Sequence, residues 1–222
     1  MKPLGKVSIT WSSALAYAIG LIVTDGSLSK DGRHINLTSK DRDQLETFMR
    51  CLGVSVKIGT KRSGFRPDKL YFQVQIGDIL FYRFLQSIGL TPAKTKTIGA
   101  VAVPDEYFSD FLRGHLDGDG STHSYFDPRW PTSFLCYTTF LSASQVHIQW
   151  LQTTIQRLIG VSGKVSMGSR VLRVRYAKAD SLKIFASIYA KRDAPCLERK
   201  RLKIARVFGM IAPDALPGGL RQ

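Results

Sequence analysis

The feature that most constrains this 222-residue chain is that it says the same thing twice. Residues 18–26 read AIGLIVTDG and residues 112–120 read LRGHLDGDG. Asp25 and Asp119 stand 94 residues apart, and so do Gly20 and Gly114. Each stretch reads as a helix. The first is expected to start with Ser12 or Ser13 as N-cap and to end at Gly26; the second is expected to start at Asp105, after Pro104, and to end at Gly120. Both end on an acid, although a helix C-terminus carries partial negative charge and favours lysine or arginine. One such placement is chance. Two in one register need a reason.

The chain downstream repeats as well. After Gly26 a hairpin is expected to turn at Asp31-Gly32, with Ile35 and Leu37 facing one way and His34, Asn36 and Thr38 the other. A helix follows from Asp41 to Gly53 with Leu45, Phe48 and Leu52 on one face. Its counterpart runs from Ser144 to Gly160, with Ile148, Leu151, Ile155 and Leu158 inward. The spacing between the halves has grown by then, which places an insertion in the second hairpin, around FDPRWPTS. A second strand pair then appears in each half. In the first, Val54, Val56, Ile58, Phe72, Val74 and Ile76 share one side, against Ser55, Lys57, Lys61, Tyr71, Gln73 and Gln75 on the other. In the second, Lys164, Ser166, Arg173 and Arg175 point outward. Further helices are expected over 78–87 and 179–190.

The expected fold is therefore α+β. Two pseudo-symmetric αββαββα repeats, residues 1–100 and 101–222, each form an antiparallel sheet saddle with helices on one face. Such a sheet leaves its other face to solvent. In both halves that face is polar and cationic. The tail over 212–222, rich in Pro and Gly, is expected to be loosely ordered.

Charge narrows the partner. Lys and Arg number 32 against 17 Asp and Glu, a net +15 that strains a compact fold by self-repulsion unless a polyanion covers it. Nucleic acid is the leading candidate. The longest apolar run, Ala14–Val23, is about half of what spans a bilayer, and the N-terminal residues show no secretory pattern, so no membrane partner is expected. Cys51, Cys136 and Cys196 have no metal or disulfide spacing and suit an intracellular, reducing compartment.

The two nonapeptides, the topology around them and the basic strands resemble the LAGLIDADG homing endonucleases in their single-chain, two-repeat form, over nearly the whole chain. That resemblance implies two signature helices packed along Gly20 and Gly114, and small residues there let helix backbones approach closely. Their ends would then bring Asp25 and Asp119 together. Two carboxylates at such a seam repel unless a cation lies between them, and hard oxygen donors select Mg²⁺, with Mn²⁺ or Ca²⁺ also able to occupy the site. By resemblance, Asp25 and Asp119 are the catalytic metal ligands, helped by the main-chain oxygens of Thr24 and Gly118. Family members also place a lysine late in each repeat. Lys94 and Lys200 match that position, with Lys96 and Lys203 as competing assignments. Asp117, whose counterpart is Val23, reads as supporting structure. His115 reads as packing within its helix, and the four histidines show no metal-ligand spacing.

Two-stranded ribbons fit the major groove, so alternate strand residues are expected to contact base edges. In the first half these are Ser27, Ser29, His34, Asn36, Thr38, Lys57, Gln73 and Gln75, with Tyr71 on the same face. In the second they are Ser121, His123, Lys164, Ser166, Arg173 and Arg175. Lys30, Arg33, Lys61, Arg62, Arg66, Lys69, Arg129 and Arg170 sit at turns and are expected to hold phosphates. The resemblance implies a monomeric, Mg²⁺-dependent endonuclease cutting both strands of a long, pseudo-palindromic double-stranded DNA target. The chain lacks the terminal residues of an intein, so an intron-type protein is expected. An RNA-binding maturase acting on intron RNA, or a DNA-binding relic or regulator that does not cut, are the alternatives on the same fold.

Overall fold

The computed structural model describes residues 5–62, 70–168 and 171–221. Arg66, Lys69 and Arg170 lie outside the described residues. Two four-stranded antiparallel sheets, with helices on one face of each, are joined by a central helix pair.

In the first repeat, α1 (Ser13–Asp25) begins where the Ser12 side chain accepts the Leu15 N–H, satisfying one of the orphan donors of a helix start. A hairpin of β1 (Gly26–Leu28) and β2 (His34–Ser39) follows, turning through Gly32 at φ 71°. That backbone conformation is the one glycine adopts without strain. Strand β2 alternates as expected, with Ile35 and Leu37 buried and His34, Asn36 and Thr38 partly open. Helix α2 (Arg42–Leu52) ends at Gly53, whose φ of 64° forms a left-handed cap. Strands β3 (Gly59–Arg62) and β4 (Leu70–Gly77) complete the sheet in the order β1-β2-β4-β3, and α3 (Ile79–Ser87) starts at the Asp78 cap.

The second repeat follows the same plan. It comprises α4 (Phe108–Asp117), β5 (Ser121–Asp127), β6 (Trp130–Ser142), α5 (Gln145–Ile159), β7 (Lys164–Met167), β8 (Leu172–Tyr176) and α6 (Lys178–Ile188), with sheet order β5-β6-β8-β7. The insertion around 126–133 lengthens the β5–β6 hairpin, as the changed spacing predicts.

Five expectations need correction. Helix α4 starts at Phe108, after a 3-10 turn over Asp105–Tyr107, and stops at Asp117, so Asp119 sits in the turn beyond the helix. Residues 54–58 lack strand pairing although their side chains alternate, which leaves Lys57 outside the ladder. Leu158 is 37% exposed because α5 rolls its buried face toward His147, Leu151 and Thr154. An additional helix, α7 (Glu198–Ile211), follows the second repeat, burying Ile204, Val207 and Phe208. The tail beyond it is ordered: Leu220 is buried, and the Gly219 N–H donates to the Tyr189 carbonyl at 2.8 Å.

The core is continuous across both halves because α1 and α4 pack on each other at its centre. Nine consecutive residues of α1, Leu15–Val23, are buried, as expected for a helix enclosed by two sheets and a partner rather than one lying on a surface.

Candidate active site

The crossing of α1 and α4 depends on its two glycines. A Cβ on Gly20 would stand 2.3 Å from the Phe111 carbonyl oxygen, and one on Gly114 would stand 2.1 Å from that of Tyr17. No side chain fits at either position, so the backbones touch and the two C-terminal ends are fixed side by side.

Asp25 is the last residue of α1, and Asp119 follows α4 by two residues. Both line one cavity of about 120 Å³, together with Lys94, His115 and His147. The Asp25 carboxylate also lies against Gly118, where a Cβ would approach its Oδ2 to 2.9 Å. Loss of hydration at the seam raises both carboxyls, and the charge of Asp119 adds to the effect on Asp25, pushing it up to about 7. The seam thus holds two acids whose ionisation burial disfavours, with the charge of Asp119 acting on Asp25 as well.

The lysines answer the question of why these helices end on acids. Lys200, from α7, donates its Nζ to the carbonyl oxygens of Leu116, Asp117, Gly118 and Gly120 at 2.7–2.9 Å. These include the orphan acceptors of a helix C-terminus. Lys94, from the 3-10 turn Lys94–Lys96, is buried and donates to the Gly26 carbonyl at 2.6 Å. The cation favoured at each helix end is therefore delivered by tertiary structure, which frees the local position for aspartate. Burial lowers both ammonium groups to about 8, against the attraction of Asp25 and Asp119. Lys96 and Lys203 are exposed, and Lys203 lines a neighbouring cavity of about 330 Å³ beside Asp119 and Lys200.

Asp117 faces away from the seam. Its Oδ2 accepts the Tyr17 hydroxyl at 2.9 Å and the Leu197 N–H at 2.7 Å, tying α1, α4 and the start of α7 together. Burial pushes its carboxyl up to about 6. Arg113, buried beside it, donates to Asp110 Oδ1 and to the carbonyls of Pro195 and Ile188. A guanidinium so fully paired holds the segment leading into α7 without an uncompensated charge. Neither Tyr17 nor Arg113 was visible as a site residue in the sequence, because the Tyr17 partner is 100 positions away and the carbonyls that hold Arg113 are 75 and 82 positions away. His115 packs, as its place in the helix implies, but against a second histidine: its ring stacks on His147 with Nε2 atoms 3.3 Å apart. His147 Nδ1 in turn lies 2.8 Å from the Gly99 carbonyl.

The outer sheet faces carry the remaining candidates. Register aligns Ser27 with Asn36 and Asn36 with Gln75, and Thr38 with Gln73. In the second sheet, Ser121 aligns with Thr139, Thr139 with Arg175, and Arg175 with Lys164; Ser166 aligns with Arg173. Several of these groups bond to one another: Asn36 Nδ2 donates to Ser29 Oγ, and Arg173 Nε to Ser166 Oγ. Lys30, Arg33, Lys61, Arg62 and Arg129 are exposed at turns or strand ends, and Lys61 pairs across from Tyr71. His34 is held by Asp31. His123 is exposed on β5.

Among the described residues no group of three or more His, Cys, Asp or Glu side chains could hold a metal ion. The seam offers two carboxylates and main-chain oxygens instead. That donor set is too oxygen-rich for zinc and fits a hard cation that keeps most of its waters. The Gly118 oxygen already accepts Lys200, so Thr24 O is the less committed of the two main-chain candidates.

A family model described as a LAGLIDADG-like domain matches residues 12–89. Among solved structures, the homing endonuclease I-WcaI bound to its DNA recognition sequence superposes with a TM-score of 0.60 at 11% identity, covering 89% of this chain and 88% of that one. The fold is LAGLIDADG-like. Full-length DUF199/WhiA from Thermatoga maritima superposes at 0.58 with 12% identity; 91% of this chain is covered, and it spans 62% of that chain. I-DmoI in complex with DNA and Mn superposes at 0.52 with 14% identity, over 81% of this chain and 97% of that one. No curated protein matches the sequence. The LAGLIDADG-like architecture extends across both repeats, and no helix among the described residues is long and apolar enough to cross a membrane.

Proposed function

We propose that this protein is a monomeric endonuclease that hydrolyses both strands of a long, pseudo-palindromic double-stranded DNA target, with Mg²⁺ held at the seam of its two repeats. The observation that carries the reading is the meeting of Asp25 and Asp119 in one cavity, one at the end of α1 and the other in the turn after α4, with the charge of Asp119 opposing the ionisation of Asp25. Folds gain nothing in stability from such an arrangement. A bound cation resolves it.

Asp25, Asp119 and the main-chain oxygen of Thr24 would hold the ion. When bound, it supplies positive charge beside a phosphodiester and makes attack on phosphorus easier. The chain's own groups do the rest. The basic outer faces fix the duplex by its phosphates, and the strand rows Ser27–Asn36–Gln75 and Ser121–Thr139–Arg175 face base edges. Lys94 lies in the same cavity as the two acids, where a cation stabilises charge developing on phosphate oxygens. Lys200 keeps the Asp119 turn in place. The halves differ in sequence, so the preferred site departs from perfect two-fold symmetry.

Structures of relatives in fold support the partner, since I-WcaI is bound to its recognition sequence and I-DmoI to DNA with Mn or Ca. The free thiols of Cys51, Cys136 and Cys196 fit a reducing compartment. The deciding experiment incubates the protein with a randomised duplex library and Mg²⁺, sequencing the cleaved ends. Recovery of one site, cut by the native chain and left intact by Asp25→Asn and Asp119→Asn variants that still bind it, establishes the activity. Equal cutting by the double variant would refute it.

A further inference from the structure

The first hairpin of the second sheet departs from that of the first sheet, and the departure is chemical as well as geometric. Strand β6 pairs with β8 only over Thr138–Ser142, whereas its pairing with β5 continues out to Trp130. Residues 123–137 therefore project as a two-stranded arm beyond the sheet. The corresponding β1–β2 hairpin of the first repeat has no such arm: β1 is three residues long and β2 six, with no Tyr, Phe or Trp between them.

The arm is aromatic. On its outer face His123 lies 5.2 Å from Tyr125, and Tyr125 lies 6.5 Å from Tyr137 with rings near parallel. Arg175 stands over Tyr137 at 5.3 Å. On the opposite face Phe126 meets Phe134 edge to face at 5.0 Å. Trp130 at the tip is 68% exposed, Phe126 52% and Tyr125 39%. An isolated hairpin is marginal in water, and aromatic cross-strand pairs explain how this one holds together. They do not explain why so much ring surface is left open to solvent.

The charge around the arm chooses the occupant. Arg173, Arg175 and Lys164 continue the outer face, Lys178 donates to the Phe134 carbonyl, and Arg129 is exposed at the tip. The one acid of the arm, Asp127, is engaged by the Arg129 N–H. Rings interleaved with cations and facing a polyanion form a stacking platform for nucleobases. In a duplex the base faces are covered by their neighbours, so a platform of this kind meets only edges. Unpaired bases offer their faces.

We propose that the β5–β6 arm binds single-stranded nucleic acid by stacking unpaired bases on Tyr125, Tyr137 and Trp130, as an activity separate from duplex recognition near the seam. It does not depend on cutting, so the test omits divalent cations.

The full chain is titrated into fluorescein-labelled 12-nucleotide RNA, DNA of the same sequence, and the DNA duplex, in EDTA, with anisotropy as the readout. Replacing Tyr125→Ala and Trp130→Ala together is expected to raise the single-strand Kd by at least about tenfold, the scale of lost base stacking, while duplex affinity changes less than about twofold. Tyr125→Phe with Trp130→Phe keeps the rings and is expected to retain single-strand binding, which separates stacking from a folding defect. Preference for RNA or for DNA assigns the natural strand, and either supports the proposal. Equal losses on single strand and duplex, or no loss on the single strand, would overturn it. So would a fall in sedimentation mass in the alanine variant, which would mark the arm as a contact between copies of the chain.

Discussion

A Cβ on Gly114 would stand 3.2 Å from the Cα of Gly20, on top of its clash with the Tyr17 carbonyl. The two residues share one space, and neither has a side chain that could move aside. Gly114→Ala is therefore expected to push the helices apart and cost on the order of 3 kcal/mol, at the upper end for an overfilled interior. Urea unfolding of the variant checks this. An alanine at Gly209, where nothing lies within 4 Å, is the control and is expected to leave stability unchanged or slightly raised.

Lys200 and Lys94 are expected to differ in what they contribute. Lys200→Met removes a donor from four carbonyls, of which Asp117 keeps the Gln44 Nε2 donor, whereas Lys94→Met releases only the Gly26 carbonyl among the contacts of its Nζ. Charge-assisted hydrogen bonds are worth about 1.5–3 kcal/mol each and share one ammonium here, so the Lys200 variant is expected to lose about 3 kcal/mol or more and the Lys94 variant about half that. Thermal melts of the pair give the order. In the cleavage assay the ranking is expected to reverse per unit of stability lost, because Lys94 lines the cavity with both acids.

Acidity at the seam gives a signed pH effect. The Asp25 carboxyl is raised to about 7 in the folded chain, so the folded state binds a proton that the unfolded state has released. Its contribution is fully present below about pH 4 and is lost as pH rises through 7. Without divalent cations, the native chain is expected to lose stability relative to Asp25→Asn between pH 5 and pH 8. Mg²⁺ needs the ionised form, so it is expected to raise the melting temperature more at pH 8 than at pH 5. Melts with Mg²⁺ and with EDTA at the two pH values test both statements, and an identical Mg²⁺ effect at each would count against a metal between the two aspartates.

Binding to duplex DNA is expected to weaken steeply with salt. If six to ten phosphates are neutralised, affinity falls by about 10³ to 10⁵ between 50 and 200 mM salt. A shallow slope, measured by anisotropy on a duplex of about 24 base pairs, would mean that the cationic outer faces do not carry the duplex.

Much of this molecule could be read before any coordinates, and the reasons are local. Two glycines and two acids in one register announced the paired helices, because close backbone approach permits no other residue at Gly20 and Gly114. Alternation in β2 and the caps at Ser12, Gly53 and Gly160 marked the elements around them. What escaped was tertiary. Helix α7 hides in the run ERKRLK, where charge density masks the Ile204, Val207 and Phe208 spacing. The tail has the composition of a loose end, yet Leu220 finds a buried slot. Helix α4 gives up its last expected turn because the Gly118–Gly120 backbone bends to meet Lys200. The stacked pair His115 and His147 joins different elements, and no spacing rule reaches across them.

The reach of Lys200 also sets an order on the making of the molecule. The Gly118 carbonyl waits for a donor 82 residues further along, and the Asp117 carboxylate for an amide 80 residues on. A ribosome must therefore release most of the polypeptide before the second acid acquires its final position. A nascent or prematurely ended chain would contain both aspartates and both glycines, and still lack the clamp that aligns them.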